Sequence, residues 1–125
     1  MFKTTVFAFA LTMTTSAAFA QAAPDPDMAV SAARNQLGVL EYCQTEGHID
    51  GAAVEIQGKM IGMLPAATDE DAAVAAYEKG KEGTVSAMGV EQSLADAATA
   101  QGVDEAALCG QLAQLVEQAG AQLPQ

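Results

Sequence analysis

Two cysteines, Cys43 and Cys109, constrain this chain more than any other feature, because each has only the other as an intramolecular partner. A bond between them would close a loop of about 66 residues, which chain-entropy arguments make worth about 4 kcal/mol. Whether that bond forms depends on the compartment, since disulfides persist only where the surroundings are oxidising. The amino terminus answers this point. Lys3 is followed by an apolar run beginning at Val6–Leu11 and ending in Ala18-Phe19-Ala20, the small-x-small pattern that signal peptidase reads. Residues 1–20 are therefore expected to be a signal peptide cleaved after Ala20, with the mature chain exported to the periplasm or beyond. Thr12, Thr14, Thr15 and Ser16 make the run too short and polar to serve well as an anchor. A Cys43–Cys109 disulfide is the corresponding expectation.

Signal removal takes all four Phe, leaving Tyr42 and Tyr77 as the only aromatics. The core must then be assembled from Leu, Val, Ile, Met and many Ala. Small side chains bury little area at roughly 25 cal/mol per Å², so a covalent staple matters for a domain of this size. A leader at 21–27, with Pro24 and Pro26, is expected to be disordered, followed by a single helical domain over 28–125.

Helical spacing recurs along that domain. Asp25 or Asp27 is placed to cap a first helix through Val30, Ala33, Leu37 and Leu40 that stops at Gly47. Asp50 begins a second, with Ala53, Ile56, Met60 and Met63 on one stripe and Pro65 at its end; its Gly58-x-x-x-Gly62 spacing suggests close helix packing within a bundle. Thr68-Asp69-Glu70-Asp71 resembles a capping box for a third helix running from Val74 through Tyr77 and Lys81 to Met88, weakened at Gly80 and Gly83 so that a break near Gly80–Thr84 is expected. Leu94 and Ala98 mark a short fourth helix ending near Gly102. Asp104 caps a fifth, with Leu108, Leu112, Leu115 or Val116, and Ala119 in register and Cys109 beside them. Gly89-Val90-Glu91 and Gly102-Val103-Asp104 echo each other, but two copies make no solenoid. No strand pattern stands out. The fold class expected is all-α, a small bundle of four or five helices with one disulfide.

Chemistry-bearing motifs are sparse. His48, the only histidine, is flanked by Glu46 and Asp50, a spacing that reads as a junction rather than a metal site. The Asp69–Asp71 cluster lacks calcium-loop spacing and reads as helix capping. There is no C-x-x-C and no Gly-rich phosphate loop. No catalytic, cofactor-binding or metal residue is assigned, no cofactor is expected, and an enzyme is not expected. Loss of Lys3 takes the formal net charge from −11 to −12, which disfavours nucleic acid and anionic headgroups. The most apolar mature segment, Ile49–Leu64, carries Asp50, Glu55 and Lys59, so membrane insertion is disfavoured.

Ala33-Arg34-Asn35-Gln36-Leu37-Gly38-Val39-Leu40-Glu41-Tyr42-Cys43, Gly47-His48-Ile49-Asp50, Thr84-Val85-Ser86-Ala87-Met88-Gly89-Val90 and Ala106-Ala107-Leu108-Cys109 carry a family resemblance. Together they resemble small exported proteobacterial helical proteins identified as pore-forming members of the early secreted antigen family. The resemblance implies a helical fold and action at membranes. In plan alone, the chain is also similar to periplasmic acid-stress chaperones, which are helical, exported and held by one disulfide. The function expected is that of an exported periplasmic protein acting by contact with a protein or envelope partner, as a monomer or weak homo-oligomer. The alternative is an acid-stress chaperone.

Overall fold

The structure is a computed structural model that describes residues 25–87 and 89–124. The expected signal peptide, the leader up to Pro24, and Met88 lie outside the described residues.

Helix α1, Pro26–Thr45, is the spine. The Asp25 carboxylate accepts the Asp27 N–H, Pro26 occupies the first turn, and Gly47 follows the end at φ +77°. Helical structure thus starts inside the leader that was expected to be disordered. Helix α2, Ala52–Gly62, starts after Asp50 accepts the Ala52 N–H and stops short of Pro65. Helix α3, Glu70–Lys81, is capped by Asp69, which accepts from Ala72 N at 3.0 Å; Thr68 is not its cap. Two short strands follow, β1 (Thr84–Ala87) and β2 (Val90–Ser93), and then α4 (Leu94–Gln101) and α5 (Glu105–Gly120). Ser93 caps α4, Gly102 ends it in the left-handed region at φ +70°, and Asp104 caps α5.

The five helices among the described residues bear out the all-α expectation. The hairpin corrects one detail. The third helix does not continue through Thr84 and Val85; the chain turns at Gly83 (φ +83°) and runs out as β1, paired antiparallel with β2 from Thr84↔Ser93 to Ala87↔Val90. Gly89, at φ +78°, sits in the connection, where a left-handed residue costs glycine little.

Two apolar clusters flank α1. One gathers Val39, Cys43, Leu94, Ala98, Leu108 and Cys109, with Tyr42, Ile49, Val85, Val103 and Leu112 packed around them. The Cys43–Cys109 disulfide lies inside it, both cysteines fully buried, and ties α1 to α5. The other joins Leu40 to Ala53 of α2 and to Ala113 and Val116 of α5.

No α3 residue belongs to either cluster, yet α3 packs more extensively on α1 than any other two elements pack together. Glycine makes that possible. A Cβ at Gly80 would lie 2.8 Å from Val39 N and 3.0 Å from Gly38 Cα; one at Gly38 would lie 2.8 Å from Lys81 N. The backbones therefore touch, and Gly80 is a contact residue as well as part of the expected break near Gly80–Thr84, since α3 ends at Lys81. Gly58 and Gly62 reverse their expectation, since a Cβ on either would meet nothing within 4 Å.

The remaining tie is Asn35, buried at 2% exposure. Its Nδ2 donates to Ala76 O (2.9 Å) and Thr84 O (3.0 Å), and its Oδ1 accepts from Ser86 N (2.9 Å). One amide thus fixes α1, α3 and β1 together. In a buried polar side chain this fully satisfied, the hydrogen bonds offset the desolvation cost and specify the geometry.

Candidate functional site

Ala32, Asn35, Gln36 and Val39 recur at helical spacing and form one wall of a groove. Val85 and Ser86 of β1 form a second wall and Leu112 of α5 a third, enclosing about 270 Å³. The lining is largely apolar, with Gln36 and Ser86 supplying hydrogen-bonding groups; the Asn35 amide is committed to its three bonds. The disulfide sets this geometry. Val39 lies one helical turn before Cys43, and Leu112 about one turn after Cys109, so the S–S bond fixes the spacing of two walls. A second depression, about 430 Å³, is lined by Ile56, Lys59, Gly120, Leu123 and Pro124.

His48 does not pair with the carboxylates that flank it in sequence. Its Nε2 lies 3.9 Å from Glu105 Oε1, in the first turn of α5. The same carboxylate, as hydrogen-bond partner, raises the Tyr42 phenol above its ordinary value, and the Tyr42 ring rests against Gly83. Tyr42, His48 and Glu105 thus cluster near the disulfide, joining α1, the following loop and α5. Among the described residues no group of three or more His, Cys, Asp or Glu is arranged to hold a metal ion. In the Asp69–Asp71 cluster, Asp69 caps α3 and Glu70 reaches Arg34 at 3.3 Å. Of the methionines expected to line α2, Met60 packs into the second cluster while Met63 is exposed.

Every described Lys and Arg is engaged. Arg34 meets Glu70, Lys59 meets Glu55 at 3.4 Å, Lys79 meets Glu91, and Lys81 stands 5.3 Å over the Tyr77 ring. Such exposed pairs contribute little stability, about 0–1 kcal/mol each. Their effect is to leave the acidic surplus without free basic counterparts. No described helix is long and apolar enough to cross a membrane.

The groove was not legible beforehand. Asn35, Gln36 and Val39 belong to the expected first helix but lie off the stripe read through Val30, Ala33, Leu37 and Leu40, and the second wall depends on a hairpin that no strand pattern announces. Fold and groove together define a small helical domain, tied by one disulfide, with a hairpin inserted between its third and fourth helices. Comparison with protein-family models, curated proteins and solved structures finds no match for the chain.

Proposed function

We propose that this is an exported, disulfide-tied helical protein that works by contact, seating an apolar segment of a protein or envelope partner between α1, β1 and α5. One observation carries the reading: the apolar groove has two of its three walls fixed by the Cys43–Cys109 bond. A preformed concave apolar surface with a few polar groups is the usual form of a binding site, and fixing it in advance lowers the entropy cost of association. The disulfide also suits the oxidising compartment that the amino terminus implies. A photo-crosslinking side chain at Gln36, in the groove, is compared with one at Gln118, on the exposed side of α5. The expected result in living cells is a discrete adduct from position 36 alone. Equal labelling from both positions, or none from either, counts against the groove.

The family resemblance raises a second reading, action on membranes. Dye release from anionic vesicles tests it. The acidic surface and the charges within Ile49–Leu64 lead us to expect no release by the oxidised protein at pH 7.

A further inference from the structure

We propose that α3 is an acid-releasable arm: protonating the carboxylates along its seam frees α3 from a body of α1, α2, the hairpin, α4 and α5 that stays closed. The inference is independent of what occupies the groove.

Its basis is a division of labour among contacts. The body is held by two apolar clusters and the disulfide, none of which includes an α3 residue. Along the seam, most side-chain ties use a carboxylate. Asp27 of α1 accepts the Thr68 N–H at 2.7 Å and also the Thr68 hydroxyl, just before α3. Arg34 meets Glu70, and the Tyr77 hydroxyl donates to Glu41. On the other side, Lys79 meets Glu91 of β2. The remaining charged groups near Tyr77 are Lys81 over its ring and Glu78. Asn35 and the Gly38–Gly80 approach also join the seam, but they bury no large apolar side chain.

Acid acts differently on body and seam. Protonation turns charge-assisted hydrogen bonds into weaker neutral ones and abolishes ion pairs. The body meanwhile loses repulsion as its negative surplus disappears. With Arg34, three lysines and His48 as the only basic side chains after residue 20, little positive charge replaces it. The sign for Asp27 agrees: the Thr68 bonds hold its carboxyl below the ordinary 3.8, so its contribution is present above that pH and lost as pH falls through the lowered value. Release therefore belongs below about pH 4, where ordinary carboxylates are also protonating.

Amide hydrogen exchange on the oxidised mature chain, expressed as protection factors at pH 7 and pH 3, tests this directly. The expected result is a fall of about tenfold or more in α3 protection, with α1 and α5 unchanged, since each weakened bond is worth up to about tenfold in opening. At pH 7 the neutral, shape-preserving pair Asp27→Asn and Glu41→Gln should reproduce the selective loss and flatten its pH dependence. Simultaneous loss in α3 and α5 overturns the proposal, as does full α3 protection at pH 3. A folded double variant whose α3 still responds to acid like the parent overturns the assignment to these carboxylates.

Discussion

Replacing glycine by alanine at two helical positions should move stability in opposite directions. In a helix interior the exchange gains about 1 kcal/mol in propensity, because alanine has less backbone freedom to lose on folding. At Gly58 nothing lies within 4 Å of the added Cβ, so that gain stands alone. At Gly80 the methyl would sit 2.8 Å from Val39 N and 3.0 Å from Gly38 Cα, and closer still to Asn35 O, where 3.4–4 Å is ordinary contact. All three are backbone atoms, so no rotamer change relieves the crowding; α1 and α3 must separate. Overpacking of this kind costs about 1–3 kcal/mol. The bonds from Asn35 to Ala76 and Thr84 stretch as well, at about 1 kcal/mol each if lost. Set against the propensity gain, the net is a destabilisation of about 3 kcal/mol. For a domain near 100 residues that lowers Tm by about 12–24 °C, while Gly58→Ala should raise it by a few degrees. Urea and thermal unfolding of the oxidised proteins, followed by far-UV circular dichroism, measure both. If Gly80→Ala matches Gly58→Ala in sign, the helices do not touch at this crossing.

Non-reducing peptide mapping should recover a Cys43–Cys109 pair, and replacing both cysteines by alanine should cost about 4 kcal/mol of unfolding free energy. Asn35→Ala strands Ser86 N and two carbonyls, so it should cost about 3 kcal/mol by chemical denaturation. Tyr77 should titrate by ultraviolet absorbance near its raised value of about 12, chiefly through its bond to Glu41, and Glu41→Gln should return it toward 10.0. Because the folded state favours the neutral phenol, its contribution is intact below pH 10.0 and lost as pH rises through about 12, so the α3 seam should also weaken in strong alkali.

What could be read from the residues alone follows from how local each signal is. Asp104 before an apolar helix, Gly47 and Gly102 at helix ends, and a single possible cysteine pairing are decided within a few residues or by elimination, and each stands as expected. For the glycines inside helices, the local effect is legible, as in the break near Gly80–Thr84, but the packing is not, because a missing Cβ packs only through what lies opposite it. Gly80 faces Asn35 and Val39 from a different helix, whereas Gly58 faces open space. The hairpin escaped for a related reason. Thr84-Val85-Ser86 is too short for alternation to show, and it is held as a strand partly by Asn35, distant in sequence. His48 likewise took its partner from α5 rather than from its neighbours.

The Asn35 amide has one more consequence, for the protein among its own copies. The Leu94 N–H donates to Gly83 O at 2.8 Å, so by strand alternation Val85 and Ala87 turn their backbone groups toward β2, and Thr84 and Ser86 turn theirs outward. Those outward groups form the free border of the sheet, the kind of template on which chains stack into aggregates. Here Thr84 O and Ser86 N are already taken by Nδ2 and Oδ1 of one asparagine, which stands in for a missing third strand. On the opposite border β2 runs straight into α4, which leaves Glu91, a charged residue, as the main place where another strand would have to begin. The smallest element of the fold is thereby closed to edge-to-edge growth on one side by a side chain and guarded on the other by a charge.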